Sequence, residues 1–281
     1  EHHANMVPWQ QLAKRMNMTI DYIYLTQDLH LDYKQAEKII DHNTALVACT
    51  HLSNVIGTQN DVKAITQLAH NVGAYSVVDA AQSISHMPVD VQQIGCDFLF
   101  FSGHKMFAPT GVGVLYAEHQ QDMQVYQVGG DMINSVEEQN ATWAQPPQKF
   151  EAGTPPIEAI IGLDAAIDFI NQQQIIQIEQ QVKQLSIYAR QQLETIPGIQ
   201  IFNGSPTGII AFTIKDIHTH DMTMLLAQKN ICIRVGHHCA MPLLNYLKQK
   251  AVMRISLHIY NTQKDIDTLI DQIQKNREML R

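Results

Sequence analysis

The chain has 281 residues, 45% of them hydrophobic and 16% charged, so it has enough apolar material for a sizeable core and is not a disordered chain. A formal net charge of −8 argues against nucleic acid and against an anionic membrane surface as partners. No apolar run reaches the length of a membrane span, and no signal peptide opens the chain.

Glu1 is followed directly by His2, His3 and Asn5 rather than preceded by a methionine, which reads as a fragment or a processed chain. The four cysteines, Cys49, Cys96, Cys232 and Cys239, have no CxxC spacing and no disulfide-like density. A reducing, cytoplasmic compartment follows, with free thiols.

Ala45 to Thr50 is the first strand expected, and His51 to Thr58 a turn-rich loop. Asn60 or Asp61 caps a helix with Val62, Ile65, Leu68, Ala69 and Val72 on one face, stopped at Gly73. Tyr75 to Val78 is the next strand, closing at Asp79. This strand–helix–strand unit implies parallel strands. A short helix at Val89–Ile94, a strand at Phe98–Phe101 and an edge or antiparallel strand at Val112–Tyr116 complete an α/β half.

Pro156 to Ile196 reads as helical, with Ile157, Ile160, Ile161, Ile167 and Ile170 roughly on one face and a possible break at Gln172–Gln174. Strands are expected at Ile199–Phe202, Gly208–Ile214, Ile231–Val235 and Met253–Ile259, with a helix at Met222–Gln228. Thr262 caps a last helix carrying Ile266, Leu269, Ile270 and Ile273. The expected division is a large α/β domain over 1–172 and a smaller α+β domain over 173–281.

In open α/β sheets ligands bind at the carboxyl ends of the strands. Here those ends carry Asn54, then Asp79 and Gln82, then Ser102, His104 and Lys105. A lysine beside a carboxylate suits pyridoxal phosphate, since the amine attaches the cofactor and the carboxylate keeps its ring nitrogen protonated. An ordinary Lys105–Asp79 ion pair at the sheet rim is the plainer alternative.

The segments VVDAAQS (Val77–Ser83) and SGHKMFAPTGVGVLY (Ser102–Tyr116) resemble the class V aminotransferase family of fold-type I pyridoxal-phosphate enzymes. EHHANMVPW (Glu1–Trp9), KFEAGTP (Lys149–Pro155) and RVGHHCAMP (Arg234–Pro242) narrow the resemblance to SUF-type cysteine desulfurases, with selenocysteine lyases and simple aminotransferases as relatives to be distinguished.

The resemblance implies that Lys105 carries the cofactor, that Asp79 pairs with its ring nitrogen and that Gln82 contacts its phenolic oxygen. It further implies that His2 stacks on the ring, while the strand-end position of Ser102 and His104 suits them to donate to the phosphate. Thr154 would reach the phosphate of a neighbouring subunit, making the enzyme a homodimer. Asn54 and Arg254 look like the substrate-carboxylate site, a task to which a guanidinium fork is suited.

Cys239 would take the sulfur of L-cysteine, leaving alanine and a persulfide for a SUF-pathway acceptor protein and iron–sulfur cluster assembly; L-selenocysteine is a possible second substrate. His237 or His238 would favour the thiolate. The other three cysteines read as buried small hydrophobes.

A zinc hydrolase built on His2, His3, His237, His238 and Cys239 matches no familiar ligand spacing, so no metal is expected. A binding module without catalysis gives the strand-end lysine and aspartate no reason to converge. Family members normally carry an N-terminal portion ahead of the EHHAN segment, including a helix start that holds phosphate. A chain without it is expected to hold the cofactor poorly. The short stretch from Cys239 to Arg254 resembles the SUF-type branch, which implies a thiol held near the cofactor and dependent on an acceptor.

Overall fold

A computed structural model describes residues 1–280. After a 3-10 turn at His3–Asn5 comes helix α1 (Val7–Met16), with proline in its first turn and a left-handed Asn17 at its end. Helix α2 (Tyr33–Ile39) starts at Asp32, whose carboxylate accepts the Gln35 N–H. The sequence reading placed neither helix.

Strand β1 (Leu46–Thr50), helix α3 (Val62–Asn71) and strand β2 (Tyr75–Asp79) form the expected unit. Asp61 is the cap of α3 and accepts the Ala64 N–H at 3.0 Å. Val62, Ile65 and Ala69 of α3 bury against Val47, Cys49 and Val78 of the sheet. Helix α4 (Val91–Ile94) leads to strand β3 (Phe98–Ser102), and strand β4 (Gly113–Ala117) closes the sheet.

The order is β1-β2-β3-β4, the first three parallel and β4 antiparallel. Thr50 pairs with Asp79 and Asp79 with Phe100, so the carboxyl ends of the parallel strands lie side by side. The turn leaving β3 requires glycine: the Gly103 N–H donates to the Val112 carbonyl at 2.9 Å, and a Cβ there would lie 2.8 Å from Val112 Cγ1.

An exposed hairpin follows, β5 (Ile133–Val136) with β6 (Ala141–Trp143), which the sequence reading missed. Helix α5 (Ile157–Gln173) and helix α6 (Ile175–Glu194) meet at Gln174, whose φ of 56° makes the expected break. Of the isoleucines expected on one face of α5, only Ile170 is buried. Ala159, Leu163, Ala166 and Ile170 are buried, while Ile157, Ile160, Ile161 and Ile167 are exposed. Small residues let this side approach closely; at Gly162 a Cβ would collide with the ring of Pro109.

The second sheet has the order β7-β8-β10-β9 and is antiparallel: β7 (Ile199–Phe202), β8 (Ile209–Ile214), β9 (Arg234–Gly236) and β10 (Val252–Ser256). Helix α7 (Thr219–Ala227) and helix α9 (Gln263–Met279) join α6 in covering it, with Leu193, Phe212, Met222, Met253, Ile270 and Ile273 in one core. Thr262 caps α9 as expected, reciprocated by Asp265.

Helix α8 (Met241–Tyr246) lies between β9 and β10. The strand expected at Ile231–Val235 is realised only from Arg234, because β9 is a three-residue edge strand held by β10 alone. Cys232 therefore stands exposed, against expectation, whereas Cys49 and Cys96 are buried. The strand expected to run to Ile259 ends at Ser256, where a turn closed by the Asn261 side chain on the His258 N–H takes over. Val55 and Ile56, in the loop after β1, pack with Phe202, Ala211, Leu244 and Val252, which locks the two sheets together beside the strand ends.

Candidate active site

Asp79 ends β2 with 5% of its surface exposed, and its carboxylate accepts the Ala81 N–H at 2.9 Å. Burial pushes this carboxyl up, a shift opposed by the Ala81 bond and by Lys105. Lys105 sits in the 3-10 turn (Gly103–Lys105) that follows β3. Burial lowers the amine; Asp79 is the main charge that restores it, while Arg254 and Arg234 lower it further. Ser102 and His104, from the same turn, meet at 2.9 Å through Oγ and Nδ1.

A cavity of about 400 Å³ opens here, lined among others by His2, Asn54, Gln82, His104, Lys105 and Arg254. Six of the ten residues singled out in the sequence thus share one space. Asp79 lies buried and acts electrostatically on Lys105, and Ser102 supports His104. Thr154 is exposed in the loop before α5 and does not line the cavity.

His2 accepts the Ala4 N–H on Nδ1 at 3.0 Å, leaving the ring proton on Nε2. Its pKa is lowered by burial first and then by Lys105. Arg254, on β10, donates to the Asn54 carbonyl at 2.6 Å and keeps a buried Nε without a partner. Burial and the neighbouring Arg234 bring its pKa down to about 10. Arg234 pairs with Arg254 across β9 and β10 and also lines the cavity. Two neighbouring guanidinium cations on paired strands call for an anion between them. The sequence reading missed Arg234, although it stands within RVGHHCAMP. His86, Phe107, His258 and Tyr260 form the missed aromatic wall.

Cys239 is partly exposed, on a loop in which His238 and Cys239 both have positive φ, 51° and 55°. The Asn54 amide donates to the His238 carbonyl at 2.8 Å, tying the loop to the first sheet. The two histidines expected to assist the thiol differ. His238 is turned inward, its Nε2 bonded to the Val252 carbonyl at 3.1 Å, and burial followed by Arg254 brings its pKa down to about 4. A neutral ring cannot favour a thiolate by charge. His237 is held differently: its Nδ1 accepts the Cys239 N–H at 3.1 Å, so that nitrogen carries no proton either and the ring acts on the loop by its hydrogen bond. Among the described residues no three His, Cys, Asp or Glu side chains gather as metal ligands. No helix there is long and apolar enough to cross a membrane.

Known proteins share this sequence pattern and this fold. Residues 1–269 match the family described as Aminotransferase class-V. A probable cysteine desulfurase of Halalkalibacterium halodurans is 44% identical over 281 residues, covering 99% of this chain and 69% of the relative. One of Staphylococcus epidermidis is 46% identical over 284 residues, covering 99% and 68%. The crystal structure of the Escherichia coli cysteine desulfurase CsdA superposes with a TM-score of 0.98 at 35% identity, over 100% of this chain and 71% of that one. The cysteine desulfurase of Thermococcus onnurineus gives 0.93 at 33% identity, over 99% and 71%. The chain belongs to the class-V aminotransferase family.

Proposed function

We propose that the chain is a cysteine desulfurase that uses pyridoxal phosphate to convert L-cysteine to L-alanine, with Cys239 receiving the sulfur. The observation that carries this reading is geometric and local: Lys105 lines one cavity with His238, the residue before Cys239, and Asn54 of that cavity binds the His238 carbonyl, so the thiol loop borders the site. A transaminase needs no thiol there.

The residues fit the cofactor. Lys105 offers an amine and Asp79 a buried carboxylate, while His2 and Gln82 face the same cavity and the Ser102–His104 pair can donate to a phosphate. When bound, pyridoxal phosphate supplies an electron sink for the substrate α-carbon. Lys105 holds the cofactor and then moves the α-proton, a role favoured by an amine whose pKa is lowered by burial. Asp79 keeps a proton on the ring nitrogen. The partnerless Nε of Arg254, with Asn54 beside it, holds the substrate carboxylate.

Cys239 Sγ forms the new S–S bond as the substrate C–S bond breaks. The α-amino acid skeleton takes up protons and leaves as alanine, and a persulfide remains on Cys239 without net oxidation. The same proposal includes a homodimer that brings Thr154 to the partner's cofactor, a cytoplasmic setting, division into units at 172/173, and delivery of sulfur to a SUF-type acceptor for iron–sulfur assembly. The test is sulfide and alanine release from L-cysteine by the chain loaded with the cofactor, with L-selenocysteine in parallel. Alanine from selenocysteine alone would replace this reading with a selenocysteine lyase, and pyruvate-dependent amino transfer would replace it with an aminotransferase.

A further inference from the structure

Two consecutive residues at positive φ, His238 and Cys239, hold a conformation that side chains other than glycine rarely adopt, so the surrounding structure must impose it. On the inner side the fixing groups belong to the site already described: Asn54 on the His238 carbonyl and Val252 on its ring. On the outer side three contacts lead to His3. Its N–H donates to the Cys239 carbonyl at 2.7 Å. Its Nε2 accepts the Met241 N–H at 3.1 Å. Because an amide can only donate, Nε2 is the accepting nitrogen and the ring proton lies on Nδ1. The ring also stacks on His237, with centroids 5.8 Å apart and planes at 30°, and it is His237 Nδ1 that accepts the Cys239 N–H. Both backbone groups of Cys239 are therefore fixed by the His3–His237 pair. Residue 240, the N-cap of α8, is an alanine with no side-chain bond to offer, so the Met241 N–H is satisfied only from across the chain.

We propose that His3 is a positioning residue for Cys239: it clasps the thiol loop through the Met241 N–H and the His237 ring. His2 and His3 are successive residues, the first lining the cavity and the second gripping the thiol loop, so one short turn sets both. The inference rests on Cys239 being the sulfur acceptor, but its main readout does not.

The experiment compares the cofactor-loaded chain with His3→Phe, which keeps an aromatic ring and removes the acceptor, and with His3→Gln, which restores an acceptor oxygen. Iodoacetamide labelling is followed by peptide mass spectrometry, with the exposed Cys232 as internal control. In His3→Phe the alkylation rate of Cys239 should rise at least fivefold while that of Cys232 is unchanged. Sulfide kcat should fall at least tenfold, with the L-cysteine dissociation constant from the spectral titration unchanged. His3→Gln should stay within about threefold of the parent in both. Met241→Pro removes the donated N–H at a helix position that tolerates proline and should reproduce the His3→Phe pattern without touching His3. Parental alkylation of Cys239 in both His3→Phe and Met241→Pro would overturn the proposal. So would a parallel rise at Cys232 and Cys239, which would mean general loosening, or a His3→Gln variant as impaired as His3→Phe. If no variant, nor the parent, released sulfide while the alkylation pattern held, the desulfurase reading would fall and the clasp would stand.

Discussion

Lys105 is a half-buried cation beside a carboxylate that burial pushes up, an arrangement in which each group limits the cost of burying the other. Removing the amine should therefore do more than remove a contact. In Lys105→Ala the visible absorption band of the cofactor-loaded chain, the one abolished by borohydride, should be absent, and sulfide release should fall to background. A variant keeping both would show that another amine carries the cofactor. Cys239→Ser separates sulfur transfer from cofactor chemistry. It should bind the cofactor and respond spectrally to L-cysteine like the parent, yet release no sulfide; undiminished release would remove Cys239 from its role. At this scale much of the site was legible, because Asn54, Gln82, His104 and Lys105 follow strand ends directly, so sequence position and spatial position coincide. Arg234 was not legible. It pairs with Arg254 from twenty residues away in sequence, and only the β9–β10 register brings the two cations together.

Elements with a strong period or a cap were read from the sequence, namely β1, α3, β2, β3 and α9, whose boundaries follow from Asp61, Gly73 and Thr262. The β5–β6 hairpin and the edge strand β9 were missed or misplaced because their residues are exposed or lie off the ladder, so burial imposes no alternation on them. Short connecting elements also place two histidines whose titration should be visible in stability. His86 follows β2, with its Nδ1 bonded to the Gln82 carbonyl at 2.8 Å, and His238 lies between β9 and α8. Burial brings both pKa values down to about 4, aided by His258 for the first and Arg254 for the second. In the unfolded chain they return to about 6.5. Between these values the unfolded state binds more protons, so their contribution is complete above about pH 6.5 and is lost as the pH falls toward about 4. At about 1.4 kcal/mol per unit, each is worth on the order of 3 kcal/mol at most. The urea midpoint should fall between pH 7 and pH 5, and His86→Asn and His238→Asn should each flatten that fall. An unchanged slope in both would mean that these rings do not titrate differently on folding.

At the scale of the whole molecule, helix α5 leaves an apolar face uncovered. Ile157, Ile160, Ile161 and Ile167 of α5 are exposed, Ile161 to 65%, and close by Phe107 and Phe169 meet edge to face at 5.4 Å. Apolar patches of this kind on a folded chain mark interaction surfaces. The occupant proposed is a second copy, because Thr154 stands exposed three residues before α5, outside the chain's own cavity. A homodimer through α5 would put that hydroxyl where a partner's cofactor phosphate could accept its hydrogen bond. A bond to a charged group is worth roughly 1.5–3 kcal/mol, which is about a ten- to hundredfold change in affinity. Two variants should then behave alike. Ile160→Lys with Ile161→Lys should sediment as a monomer while keeping its melting temperature, since both side chains are exposed in the single chain. It should also bind pyridoxal phosphate at least tenfold more weakly in an absorbance titration. Thr154→Val should remain associated and lose affinity to a similar degree, and the triple variant should be no weaker than the double lysine variant. If the lysine variant were monomeric and bound the cofactor as tightly as the parent, each cavity would be complete within one chain, and Thr154 would be an ordinary turn residue before Pro155.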